Sequence, residues 1–377
     1  IESPSISMTI TFIDVDQVIG RKGITGGEFL NLTIQDGEVD KFKVTDEHKL
    51  MLNAVRDLGT ETNKQFATLE FVSIETIINE TSRLNKKFQG NVSQTVEEIL
   101  VNDKKGIQTK KKLEKDEAAN SYAFVGNLKR PIDTIQWLCP KTMSSAKDFG
   151  FLFYENLDGF HFKSIKSLLE QDPIKYTYTD KPDDPDIGPF KILQNKVIQS
   201  NDIGMNCRMG MYANKTIYID IENQGAEVVD FNVNEDLNLK KKVKLPKNLE
   251  KHPTRLMLRV NDFGVAQVGA AKSETVPESE LAVYQNKSYI RNNILFSQLL
   301  SIAIPLNTTL RVGKTIDIRL PLKKEEGDST SSTGNEKTDD PSGIYLISEL
   351  RHVIGAGAAE TQLTLIRDTF TAEPKTA

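Results

Sequence analysis

Gly150-Phe-Leu-Phe-Tyr-Glu-Asn-Leu-Asp-Gly-Phe-His-Phe-Lys-Ser164 packs six aromatic or imidazole side chains, two acids and two glycines into fifteen residues. As a pocket it would offer Glu155, Asp158 and His161 for acid–base chemistry. As a hairpin it sets Phe151 and Phe153 on one face and Leu152 and Tyr154 on the other. It then turns through Asn156-Leu-Asp-Gly159, with a glycine for positive φ, and resumes its alternation at Phe160 and Phe162. Cross-strand aromatics of this kind make core. His161, opposite Phe160 and Phe162, then belongs on a rim or interface.

The flanking sequence extends the β reading. Ile6, Met8, Ile10 and Phe12 alternate with Ser7, Thr9 and Thr11, the period of a half-buried strand. After a Gly-rich turn at Gly20 to Gly27 the pattern returns in Glu28 to Ile34, then in Lys41 to Thr45, Gln65 to Ser73 and Lys215 to Ile221. Thr315 to Pro321, Gly343 to His352 and Glu360 to Asp368 complete it as strands at the C-terminal end. Helices are expected at Ser93 to Leu100 with a Ser cap, at Pro131 to Leu138 behind an N1 proline, and at Glu280 to Ile304, where Pro305 stops the pattern. Asn102 to Asn120, rich in Lys and Glu, suits an exposed linker or arm. The Pro- and Asp-rich Tyr176 to Pro189 suits an ordered surface loop or a domain crossing. Lys323 to Ser342 contains no apolar side chain until Pro341 and suits a disordered loop inserted in a hairpin.

At 377 residues the chain is long enough for several cores. A net charge of −5 supplies no basic field for neutralising phosphates, so sequence-specific DNA binding is not expected. The longest apolar run, Ile294 to Pro305, is too short and too interrupted to span a bilayer, and no stable membrane insertion is expected. Ile1-Glu-Ser-Pro-Ser-Ile6 has no basic region followed by an apolar one, so a secretory signal is not expected. Without an initiating Met, a processed or truncated start is. Cys139 and Cys207 are too few for a disulfide framework or zinc site, which fits synthesis in a reducing cytoplasm.

Chemistry finds little footing. His48, His161, His252 and His352 do not pair at helical spacing, and metal, nucleotide and serine-hydrolase motifs are absent. Gly355-Ala-Gly357 and Gly20 to Gly27 sit between strand patterns and serve turns. Asp183, Asp184 and Asp186, with the runs Lys110 to Lys112 and Lys240 to Lys242, suit solvated surface. Glu155 and Asp158 could serve as a glycosidase pair, but a chain with 53 acids holds many such pairs. No catalytic, cofactor or metal residues are assigned. Glu155 and His161 stand as candidates for interface contacts.

The order of four phrases carries a resemblance: Arg130-Pro-Ile-Asp-Thr-Ile-Gln-Trp-Leu138, Gly150 to Leu168, Gly343-Ile-Tyr-Leu-Ile-Ser-Glu-Leu-Arg-His352, and Thr361-Gln-Leu-Thr-Leu-Ile-Arg-Asp368. Together they resemble the baseplate central hub proteins of contractile-tailed phages. The resemblance implies a mainly β (α+β) fold with two tail-tube-like antiparallel β-barrel domains and helical insertions, assembled as a pseudo-hexameric trimer. The expected division is a first barrel at 1–112, a peripheral helical or mixed insertion at 113–171 and 236–304, and a second barrel at 172–235 and 305–371 that carries the 323–342 loop. The implied role is non-enzymatic. A homotrimeric ring would adapt the six-fold tail tube to a three-fold spike, with a tube or tube-initiator protein above, the spike below and wedge proteins around. DNA and the tape-measure protein would pass through without specific binding, and the protein would reside in the virion tail. Two other readings stand beside it: a cell-wall hydrolase using Glu155 or a neighbouring acid as proton donor, and a host-receptor adhesin.

Overall fold

The computed structural model describes residues 1, 3–34, 42–44, 48–61, 64–144, 148–178, 190–200, 202–220, 224–236, 252–261, 278–320, 341–355 and 358–368. The fold is mainly β, and its described residues form two compact units, one from 1–144 and 151–163, the other from 148–150 and from 164 onward.

In the first unit, Ser7–Asp14 pairs antiparallel with Lys64–Ser73, which pairs on its other side with Leu50–Glu61. The alternation in Ser7–Asp14 turns Met8, Ile10 and Phe12 inward while Ser7, Thr9 and Thr11 stay exposed. Val44, Leu50, Leu52 and Phe71 form the centre of this core. The Leu50–Glu61 strand was missed by the sequence reading. Bulges at Leu52/Ala54 and Arg56/Gly59 break its period and bend it. Gly20 belongs to the short helix Val18–Lys22 rather than a turn, and Gly23 at φ 65 caps its C-terminus.

The helix expected from Ser93 begins one residue earlier, as Val92–Glu97, and runs on through a π-helical turn, Glu98–Asn102. Its cap is Asn91, whose side chain accepts from the Ser93 backbone N–H. Ser93 is inside the helix and buried. Pro131–Leu138 forms as expected. The stretch after Asn102 is not an exposed arm: Ile107 and Thr109 are buried, and Leu113–Lys115 adds as a parallel strand to Gly159–Ser164. Its polar side chains are held to neighbouring elements, Lys115 by Glu97 and Glu117 and Lys111 by Glu75, while Ile107, Thr109, Ala118 and Asn120 turn inward.

The second unit contains a seven-stranded sheet in the order Lys191–Ile192, Ile174–Tyr178, Thr315–Arg319, Gly343–Gly355, Ala358–Arg367, Gln298–Pro305, Gln194–Ser200. Its two outermost strands are consecutive in sequence, separated only by Leu193, and two Cα steps span no more than about 7 Å. The sheet must therefore curl until its edges meet. At the seam, the Leu193 N–H donates to Ala303 O at 2.8 Å. Tyr176, Ile192, Leu300, Ile302, Ile304, Ile316, Ile318, Tyr345, Ile347, Leu363 and Leu365 fill the interior. The sheet is mixed rather than wholly antiparallel: Ile174–Tyr178 runs parallel to both its neighbours, and long connections on either side allow this. Tyr176 to Tyr178 is thus sheet rather than loop, while Asp183, Asp184 and Asp186 lie outside the described residues. So do Lys240 to Lys242 and all but the last two residues of the 323–342 loop.

The helix expected to reach Ile304 ends at Leu295. Leu300, Ile302 and Ile304 all turn into the sheet core, and this period of two with β-branched side chains overrides the looser helical spacing. Within the helix, Ile290 and Ile294 pack on Met211, Tyr212, Phe231 and Val233. These last belong to, or flank, a second sheet in which Ala213–Asp220 lies between Gly225–Asn232, antiparallel, and Arg255–Asn261, parallel. No described helix is long and apolar enough to cross a membrane.

Candidate functional site

The Phe151–Asn156 and Gly159–Ser164 strands form the expected hairpin. Phe151 meets Phe162 at 4.8 Å between ring centroids, and Phe153 stacks on Phe160 at 5.6 Å. Gly159 adopts φ 133, and a Cβ there would lie 2.2 Å from Lys112 O. Only glycine lets the arm approach this closely.

His161 shares the opposite face with Tyr154, the rings stacked at 5.0 Å. That face is no rim. The Leu113–Lys115 strand pairs beside Gly159–Ser164 and sets Glu114 next to His161 on that face, with Oε2 3.5 Å from Nδ1. His161 Nε2 lies 2.9 Å from Asn156 Oδ1, and the side chain is buried.

Glu155 also points inward. Its carboxylate and that of Glu75 share the ammonium of Lys111, which lies 2.7 Å from Glu75 Oε2. Lys111 is 9% exposed and Glu155 not at all, so the middle lysine of the Lys110 to Lys112 run is a core residue rather than a solvated one. The Ser73 hydroxyl lies 2.6 Å from Glu75 and 3.0 Å from Glu155. Thr109 Oγ1 donates to Glu75, and the Ile6 N–H donates to Glu155 Oε2. Burial pushes the Glu155 carboxyl above its ordinary value, and Lys111 only partly offsets this. Burial would also raise Glu75, but there Lys111, Ser73 and Thr109 prevail and hold the carboxyl low. The group ties the N-terminal strand, the end of Lys64–Ser73, the 103–112 segment and the hairpin together.

The arrangement can hold a fold together; it leaves neither carboxylate facing a cleft where a glycosidic oxygen could reach it. Asp158 is exposed in the turn, where its N–H binds Asn156 Oδ1, and does not join Glu155. Among the described residues no cluster of three or more His, Cys, Asp or Glu could hold a metal. His352 lies apart in the second unit, with Nδ1 3.0 Å from Thr361 Oγ1, and burial followed by the nearby Arg311 lowers its pKa. Cys139, buried, and Cys207 are free thiols, and burial pushes Cys139 up to about 12. Glu75, Ser73, Thr109 and Lys111 had no signal in the sequence, because nothing in their local patterns marks them as partners of Glu155.

The sheet of the second unit is filled with side chains, and the Glu155 carboxylate is taken up by Lys111, Ser73 and the Ile6 N–H. No protein-family model matches the sequence, and no curated protein matches it either. Solved structures do. The fold is similar to that of a tail protein from Neisseria meningitidis MC58, at TM-score 0.56 and 11% identity over 98% of this chain and 90% of that one. The chain has a tail-protein fold. A 43 kDa tail protein of prophage MuSo2 from Shewanella oneidensis aligns at 9% identity over 98% of this chain and 95% of that one, TM-score 0.48. A component of the Escherichia coli type VI secretion system aligns at 10% identity over 99% and 73%, TM-score 0.47.

Proposed function

We propose that this tail-fold protein is the structural hub of a contractile tail baseplate: a homotrimeric ring between a six-fold tube and a three-fold spike, with wedge proteins around it. In this reading 1–112 and 172–235 with 305–371 are the two tube-like modules and 113–171 with 236–304 is the peripheral part, except that Gln298–Pro305 joins the second module, whose sheet it completes. The observation that carries the reading is the closed sheet on a chain whose fold follows a tail protein over nearly its whole length.

That sheet has an interior packed with side chains, as small barrels do, so a channel cannot run through it. A passage for DNA and tape-measure protein would lie between subunits. An acidic chain suits such a passage, since phosphates would not adhere to it. Hydrolase chemistry gains nothing from Glu155, whose carboxylate is buried on Lys111.

Light scattering on the purified chain tests the reading, with electron micrographs of the same fraction. Trimeric rings that bind a spike or tube protein are expected. A strict monomer that joins neither would overturn the proposal.

A further inference from the structure

In the sheet built on Ala213–Asp220 the two outer strands, Gly225–Asn232 on one side and Arg255–Asn261 on the other, have no further strand beside them among the described residues. One of its faces is apolar and open. Leu256, Leu258 and Val260 are 71%, 69% and 62% exposed, and Val228 on the far strand is 52% exposed. Together they present roughly 400 Å² of apolar surface, the size at which a patch on a soluble protein marks an interaction site. In the seven-stranded sheet, whose ends meet only at Leu193, the outer side of Gln194–Ser200 pairs with no further strand among the described residues, and it carries Lys196 and a bulge at Ile198, devices that discourage strand addition. The Gly225–Asn232 and Arg255–Asn261 strands have neither: each keeps an unbroken register with Ala213–Asp220 and contains no Lys or Pro.

We propose that these two edges join in neighbouring copies of the chain, Arg255–Asn261 of one copy pairing antiparallel with Gly225–Asn232 of the next. The inference rests on the trimeric ring proposed above and names its contact. Three features select a second copy as the occupant. The strands run in opposite directions within a copy, so placing identical sheets side by side yields an antiparallel pair. One charge pair is complementary: Arg259 lies on one edge and Glu227 on the other, in the same row across the sheet. The rows across the sheet also match. Glu227, Tyr218 and Arg259 form one row, and Val228, Ile217 and Leu258 the next. Continuing these rows into the neighbour sets Arg259 against Glu227, Leu258 against Val228 and Met257 against Val229, with no like charges opposed. Joining unlike edges is head-to-tail, the interface type that closes rings.

Cysteine cross-linking on the full chain tests the contact. Within one copy, Leu258 and Val228 flank Ile217 and stand two strands, about 9–10 Å, apart, beyond disulfide reach. Leu258→Cys with Val228→Cys should therefore yield covalent dimers and trimers on oxidation, while either single variant and the wild type should not. Both positions are exposed, so folding should be unaffected, as circular dichroism would confirm. In parallel, Arg259→Glu should raise the concentration at which trimers dissociate about tenfold, and adding Glu227→Arg should restore it. A protein that is trimeric by light scattering yet shows no cross-link and no charge-swap rescue would overturn the edge contact and leave the ring standing. A monomeric wild type would overturn both.

Discussion

Two buried carboxylates on one ammonium make Lys111 the residue whose loss the first unit should tolerate least. Lys111→Met keeps the apolar stem but strands Glu75 and Glu155 without their cation, and breaking a buried pair in this way costs about 3–5 kcal/mol. Urea denaturation at neutral pH should show that loss, with Lys110→Met and Lys112→Met nearly silent because both side chains are exposed. Glu155 makes a second test possible. Its folded pKa lies above the ordinary 4.5, so the folded state holds its proton more tightly than the unfolded chain does. The resulting stability is full below about 4.5 and is lost as pH rises through the folded value. Glu75 behaves in the opposite sense: its contribution is present above 4.5 and is lost as pH falls through its lowered value. Glu155→Gln should therefore gain on the wild type as pH rises from 4.5, then level off. A stability difference that stays flat from pH 4 to pH 8 would show that burial does not shift this carboxyl.

Among the elements, the Gly159 turn and the Asn91 cap show where local chemistry decides. Gly159→Ala meets both a positive φ and the Lys112 carbonyl, and strain of this kind costs roughly 1–3 kcal/mol. Thermal melts should place it well below Asn91→Ala, which removes a helix cap worth about 1 kcal/mol. The same elements show what could be read in the sequence. Phe151, Phe153, Phe160 and Phe162 declared a hairpin because side-chain period is a local property, and Ser7–Asp14 and Thr315–Arg319 were legible for the same reason. The burial of His161 was not, since it depends on Leu113–Lys115 arriving from elsewhere in the chain. Leu300, Ile302 and Ile304 misled because a short apolar run satisfies helical and strand spacing at once. The Glu155 cluster stayed hidden because its members come from four separate segments, and no local pattern couples them.

At the scale of the molecule, the closed sheet of the second unit depends on a seam only one residue wide. Leu193 stands between the first and last strands, and its N–H binds Ala303 O while its side chain is 44% exposed. The closure therefore rests on backbone hydrogen bonding and on the Ile192 side chain beside it rather than on Leu193 packing. Leu193→Ala keeps the N–H and should change stability little. Leu193→Pro removes the donor at the seam and forces its ring against the neighbouring strand, a defect that costs about 3 kcal/mol in regular structure. Hydrogen exchange should register the difference in place. In the proline variant, protection should fall along both Lys191–Ile192 and Gln194–Ser200, the two strands that meet at the seam, while Thr315–Arg319 and Gly343–Gly355 on the far side keep theirs until global unfolding. Loss confined to one side of Leu193, or equal effects from the alanine and proline variants, would mean that the two edges are held independently and that the sheet does not depend on this junction to stay closed.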